Sequence, residues 1–168
     1  HLMASGHRRI AFLGDDSSIT TATQRLEGYL RALHDHGIPH DPSLYRLHAS
    51  AEAFGHEATL ALLDSSTPPT AILAGQNFIT MGALRALAER NAQRRVALVG
   101  FDDFPLADLL DPPVTVVAQN VAEVGHEAAR LLFARIDGDT SPMRQVVLPT
   151  RLIPRGSGEI PLGAADAG

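Results

Sequence analysis

Two adjacent carboxylates, Asp102 and Asp103, close a short apolar run in the stretch VALVGFDDFPLADLLDPPVTVVAQN, residues 96–120. A catalytic dyad, a metal site or the rim of a binding pocket could each use such a pair. A dyad needs both carboxylates to converge on one point, whereas neighbours on an extended chain point to opposite sides. Adjacency therefore argues against a shared proton. It leaves a turn or cap residue beside a solvated acid, in keeping with the turn preferences of aspartate, or a pocket acid. Arg25 stands among Ala22, Leu26 and Tyr29 in a helical pattern, where an arginine can be a surface charge snorkelling off an amphipathic helix. Thr21, one turn earlier, shares that face or caps the helix. Gln76 and Asn77 follow another apolar run, and Asn77 is a candidate cap for the helix after it.

Other chemistries find little support. The chain has eight histidines, but His34 and His36 fall on different helix faces. His7, His40, His48, His56 and His126 are scattered without ligand-like spacing, so solvated or capping roles suit them and no metal site is expected. The absence of cysteine removes disulfides, thiolate zinc sites and cysteine nucleophiles. All 14 cationic residues are arginine, which removes the P-loop, Schiff-base and kinase readings. There is no G-x-S-x-G, and no G-x-G-x-x-G follows a strand. No catalytic residue and no cofactor are assigned.

Composition bounds the rest. The 168 residues fit one domain or a large piece of one, and 45% apolar content suits a packed soluble core. A net charge of −5 without a basic stripe makes this chain by itself a poor nucleic-acid binder. No apolar run approaches the ~20 residues that span a bilayer, so no membrane partner is expected. No signal peptide is visible, and a cytoplasmic location is the expectation. The opening HLMASG, residues 1–6, reads as a cloning remnant outside the fold.

The elements that must position these residues follow from the apolar pattern. Runs at 8–14, 68–75, 94–100 and 114–119 have the length of buried parallel strands. Residues 44–48 alternate and read as an edge strand, and 144–155 give one or two short strands. Helical spacing covers 22–36, 50–64, 76–90 and 121–138. In the second of these, Ser50 is a candidate N-cap, and Ala53, Phe54, Ala58, Ala61 and Leu62 are expected to face inward. The tail after residue 156 looks flexible. Strands alternating with helices predict an α/β parallel sheet. Ligands of such sheets sit beyond the carboxyl ends of the strands. The segments 14–21, 75–77 and 100–104 each follow a strand and would gather at that edge.

Four stretches in this order, HRRIAFLG…TATQRLEGYLRALHDHGI, PPTAILAGQNFITMGALRAL, RRVALVGFDDFPLADLLDPPVTVVAQNVAEVGHEAARLL and VVLPTRLIPRGS, resemble the C-terminal part of the effector-binding core of LacI/GalR-family transcriptional regulators. The resemblance covers about residues 7–157. It implies a periplasmic-binding-protein-like core of two Rossmann-like lobes joined by three crossings, with the effector between them and a helix-turn-helix headpiece ahead. Residues 7–119 and 151–156 would belong to the second lobe. The helix 121–137 and the strand 145–148, within 120–150, would return to a mostly absent first lobe, and 157–168 would be a flexible tail.

By the same resemblance, Thr21, Arg25, Gln76, Asn77, Asp102, Phe104 and Gln119 would contact a sugar or sugar-like effector. Many members carry Asn-Asp where this chain has Gln76-Asn77, a departure that removes one acidic acceptor. Phe78 and Phe104 either stack on a sugar face or fill core, and Gln119 touches ligand or only the hinge. Homodimer contacts would involve Thr80, Met81, Leu84 and Arg85 on one helix and Leu106 and Leu110 nearby. Operator DNA would be bound only through the absent headpiece. The helix after residue 120 keeps a wide apolar face (Val124, Ala128, Leu131, Leu132, Ile136), whose exposure costs roughly 1.5–3 kcal/mol for each large side chain. It is expected to pack abnormally, swap or be mobile. A transport-type sugar receptor of the same fold and an α/β enzyme using the Asp102/Asp103 edge are the alternatives.

Overall fold

The computed structural model describes residues 1–48 and 51–163. Six short strands, β1 (Ile10–Gly14), β2 (Tyr45–Leu47), β3 (Ala71–Ala74), β4 (Ala97–Phe101), β5 (Thr115–Gln119) and β6 (Thr150–Ile153), form one sheet in the order β2-β1-β3-β4-β5-β6. Every pairing is parallel except β5 with β6, which is antiparallel. Four helices accompany it: α1 (Thr20–Asp35), α2 (Glu52–Leu63), α3 (Asn77–Glu89) and α4 (Val121–Ile136). The expected α/β parallel sheet is thus formed. The chain winds outward from β1 in both directions, which puts the topological switch between β1 and β3.

Side chains of successive strand residues serve opposite faces. Ala11, Leu13, Ile72, Ala74 and Leu98 face α2 and α3, where they meet Leu62, Ile79, Ala83 and Leu87. Ile10, Phe12, Ala71, Ala97 and Val99 face α1 through Tyr29 and Leu33. The Tyr29 hydroxyl donates to the Ile10 carbonyl at 2.8 Å, tying α1 to β1. Two glycines let α2 and α3 touch backbone to backbone. A Cβ on Gly82 would lie 2.0 Å from the Glu52 carbonyl oxygen, and one on Gly55 would lie 2.4 Å from that of Ile79. This contact fixes the rotation of α2. Its buried residues are Gly55, Ala58, Thr59 and Leu62, while Ala53 and Ala61, expected inside, are exposed. Ala51 holds the N-cap position without a side-chain bond; Ser50 lies outside the described residues.

Three further expectations are corrected. Residues 1–6 are part of the packing, since Leu2 is buried beside Ile160 and Tyr29. They make a helical turn closed at Gly6 (φ +95°), with His7 N–H on the Leu2 carbonyl at 3.2 Å and Gly6 N–H on that of Met3 at 3.1 Å. The tail from Ser157 to Leu162 is a fastened strap. Ser157 Oγ donates to the Leu98 carbonyl at 2.6 Å and accepts from Thr115 N–H at 2.9 Å. His7 Nε2 lies 2.8 Å from the Ile160 carbonyl oxygen. Residues 164–168 lie outside the described residues. Finally, 145–148 form no strand, and the chain joins the sheet only at Thr150. No strand is there to pair with them, and Val147 is 80% exposed.

The apolar face of α4 is left open. None of its residues is buried, and Val121, Leu132, Phe133 and Ile136 are each more than half exposed. The segment 146–150 crosses near this helix and leaves a cavity of about 430 Å³ between them.

The glycine contact gives a paired expectation. Gly82→Ala should destabilise the protein by about 1–3 kcal/mol through overpacking. Gly28→Ala, where a Cβ meets nothing within 4 Å, should stabilise α1 by about 0.5–1 kcal/mol. Urea unfolding of the two variants measures both.

Candidate functional site

The carboxyl ends of β1, β3, β4 and β5 supply the loops of one edge. After β1 the chain turns through two aspartates. Asp15 Oδ1 accepts from Asp16 N–H at 2.8 Å, and Asp16 Oδ1 accepts from Ser18 N–H at 2.7 Å. The bonds from the Ser18 backbone and then its hydroxyl hold Asp16 below the usual carboxylate range. α1 begins beyond this turn at Thr20, with Ile19 at the N-cap. Thr21 is therefore not a cap. It is exposed in the first turn and lines the 430 Å³ cavity together with Gln119 and Asn120.

One turn later, Arg25 reaches across the switch point. It donates to the Gly75 carbonyl at 3.0 Å, and its guanidinium carbon lies 3.9 Å from the Phe101 ring centre. The arginine is thus half-buried and engaged with the ends of β3 and β4, not extended into solvent from α1. Gly75 gives a close fit there, since a Cβ would meet the Leu13 carbonyl oxygen tightly, at 3.2 Å. Phe101 is a residue of this site that the sequence did not single out; its position just before the paired acids was the available signal.

Gln76, not Asn77, is the N-cap of α3. Its Oε1 accepts from Phe78 N–H at 2.7 Å and Ile79 N–H at 3.3 Å. Asn77 is the first helical residue, and its Oδ1 also accepts from Phe78 N–H at 2.8 Å. Phe78 is half exposed at the same helix start.

The paired acids diverge. Asp102 takes a left-handed backbone (φ +68°), held by its N–H on the Val117 carbonyl at 2.9 Å. Its Oδ1 accepts from Gln119 Nε2 at 2.5 Å. Asp103 turns the other way and forms a fork with Arg155, two bonds of 2.7 Å. That fork, ahead of the Phe104 N–H bond, keeps the Asp103 carboxyl below its ordinary range. Asp103 is therefore a clamp between the β4 loop and the end of β6. Phe104 leaves the edge and packs on Ala107, Val114 and Val116. It is partly buried there, in keeping with its core reading.

Arg25, Gln76, Asn77, Asp102 and Gln119 thus share one strand-end edge, with Thr21 beside it. A second cavity of about 410 Å³ runs under this edge along the α1 face, lined by Phe12, Tyr29, Leu73, Val99 and Val117, with Arg25 where it meets the edge. The edge can offer hydrogen bonds and one cation to a polar guest. Among the described residues, no group of three or more histidines, cysteines or carboxylates converges as a metal site would require, and no helix is long and apolar enough to cross a membrane.

Of the residues expected at a dimer contact, Thr80 is wholly buried under Gly100, with its hydroxyl on the Gln76 carbonyl at 3.0 Å. It cannot reach a second chain from there. Met81 and Leu84 are partly buried, and Leu84 packs against two core clusters. Arg85 is exposed and paired with Glu52 at 2.8 Å. Leu106 and Leu110 are exposed, as is Leu109 between them at 74%.

Comparison with known proteins places this architecture. Residues 1–158 match the family described as a periplasmic binding protein-like domain. The chain is similar to the HTH-type transcriptional regulator CelR of Thermobifida fusca, 36% identical over 159 residues, which are 94% of this chain and 47% of CelR. It is similar to a probable opine utilization operon repressor of Rhizobium rhizogenes, 33% identical over 93% of this chain and 84% of the repressor. Among solved structures, a LacI-family regulatory protein from Chloroflexus aggregans superposes with a TM-score of 0.86 at 34% identity, over 93% of this chain and 57% of the other. A CelR–cellobiose complex gives a TM-score of 0.86 at 35% identity, over 93% and 48%. The chain spans about half the length of CelR and of the E. coli repressor CytR.

The Asp103–Arg155 fork carries a sign for pH. A carboxyl depressed in the folded state contributes stability above its unfolded pKa, near 3.9, and loses it as pH falls through the lower folded value. Asp103→Asn should therefore lower Tm at pH 7. The gap to the unaltered protein should close as the pH is taken below about 3.9, as thermal melts across pH would show.

Proposed function

The chain belongs to the periplasmic-binding-protein-like domain of LacI-family transcriptional regulators, and from that premise we propose how its geometry serves a regulator. It is the effector-binding portion, and its ligand is a sugar or sugar-like metabolite taken up reversibly without chemical change. What supports this reading is that Arg25 bonds the carbonyl of Gly75, next to Gln76, and lies over the ring of Phe101, next to Asp102, at the strand ends. Arg25 and the two amides donate to ligand oxygens, and Asp102 accepts from hydroxyls. The cellobiose complex of the similar CelR chain supports a sugar as the ligand class.

In this reading, residues 1–119 and 151–162 form one lobe, and 120–150 pass to a partner lobe whose surface covers the open face of α4. Ligand held between the lobes favours the closed arrangement by its differential affinity for it, and closure alters operator binding by a headpiece elsewhere in the full protein. Two copies associate through the exposed side of α3 near Met81 and Arg85 and through Leu106 and Leu110. The protein acts in the cytoplasm, and it is a receptor rather than an enzyme.

Arg25→Met should weaken sugar binding by the full-length regulator by roughly ten- to a hundredfold, the loss of a charged hydrogen bond. Calorimetric titration with the sugar that most raises Tm measures this. Unchanged affinity in the variant would remove the site from this edge.

A further inference from the structure

Side chains alternate along β4, so Ala97, Val99 and Phe101 serve the face that α1 covers. Ala97 and Val99 are buried there, whereas Phe101, the last residue of the strand, is only partly buried. Its backbone is held on both sides. Phe101 is in register with Val117 of β5, and the N–H of the next residue, Asp102, donates to the Val117 carbonyl at 2.9 Å. The ring therefore stands on a fixed support at the strand-end edge.

Arg25 comes over this ring from α1. Its guanidinium carbon lies 3.9 Å from the ring centre, and its Nη1 donates to the Gly75 carbonyl at 3.0 Å. A long side chain leaving a helix has many rotamers, and holding it in one costs that freedom. The hydrogen bond fixes one point and leaves the guanidinium free to pivot about it. The ring supplies the second constraint, because its face attracts the cation and blocks further movement toward it. Held in this way, Arg25 keeps Nε and Nη2 without a hydrogen-bond partner among the described residues, and these donors remain for a guest. The ring face under the guanidinium is covered, so no sugar can stack on it.

We infer that Phe101 is a positioning residue: its ring holds the Arg25 guanidinium where the cation both bonds Gly75 and turns its remaining donors to the guest. This deepens, and rests on, the reading of Arg25 as a ligand contact. A guanidinium in place for only part of the time lowers the apparent affinity by that fraction. Phe101 thus sets affinity through Arg25 rather than by touching the sugar. Leucine or methionine would fill the same space but present no ring quadrupole to the cation, whereas tyrosine would keep it.

The test is a double-mutant cycle in the full-length protein, with Phe101→Leu and Phe101→Tyr made alone and Phe101→Leu combined with Arg25→Met. Phe101→Met replaces Phe101→Leu should the leucine variant fail to fold, which its Tm reports. The probe is the strongest binder, by thermal shift, in a panel of cellobiose, methyl glycosides and aldonic acids, titrated by calorimetry. Phe101→Leu should weaken binding by about three- to thirtyfold, the range of a cation–ring contact. Phe101→Tyr should stay within about twofold of the unaltered protein, and Phe101→Leu should add less than about twofold once Arg25 is methionine. An unchanged affinity in Phe101→Leu would overturn the inference. So would a loss in Phe101→Tyr as large as in Phe101→Leu, or a full loss repeated in the Arg25→Met background. In each of these cases a weakened Arg25→Met variant leaves the sugar site standing. Unweakened binding by Arg25→Met itself, or no binding of any panel member, would instead remove that site, and the inference with it.

Discussion

Arg25 donates to the Gly75 carbonyl and lies over the ring of Phe101, and this joint holds α1 to the ends of two strands it does not follow in sequence. Gln76 is the next residue after Gly75, and Asp102 the next after Phe101. A shift of the guanidinium would therefore move the backbone that carries both side chains. Lysine could not replace it, because the joint needs a planar cation that stacks and donates in its own plane. The position is set by topology: the order β2-β1-β3 opens a crevice between β1 and β3, and α1, leaving β1, crosses its mouth.

The two acids after β4 divide their work because the backbone turns between them. The left-handed conformation of Asp102, which costs a non-glycine residue about 1–3 kcal/mol, directs its carboxylate to Gln119 at the end of β5. Gln119 is followed by Asn120, whose side chain caps α4 by accepting from Glu123 N–H at 3.2 Å. Asp102 thus adjoins the segment through which the chain leaves the sheet. Asp103 answers to the fold, clamping Arg155 next to the strap that Ser157 and Ile160 fasten under β4, β5 and β1. Of the two acids after β4, Asp102 is thus tied to the crossing and Asp103 to the core.

Much of the fold was legible because the parallel strands are continuous apolar runs, marked in β1, β3 and β4 by glycine within one residue of the end, and buried on both faces. The convergence of 14–21, 75–77 and 100–104 followed from that alone. What escaped the sequence depended on contacts between distant residues. Ala53 and Ala61 read as inward because alanine counts as apolar, but the approach of Gly55 and Gly82 rotates α2 away from them. Leu2 and Met3 stand in a segment too short to show periodicity. Ser157 and Gly158 read as loop because their bonds to Leu98 and Thr115 close over 59 and 43 residues. Thr80 reads as a small contact residue on a helix face, whereas Gly100 admits it beneath β4. Within the edge, residue types announced Gln76 and Asn77 as polar contacts, but not that their oxygens serve α3.

The central claim is that a polar guest is gripped at the strand ends around Arg25 rather than in the apolar channel beneath them. A crystal structure of the full-length protein soaked with its most stabilising sugar tests it most directly. The account requires sugar oxygens within hydrogen-bond distance of both Arg25 and Asp102. Density for the sugar along Phe12, Tyr29 and Leu73, with Arg25 and Asp102 untouched, would contradict it.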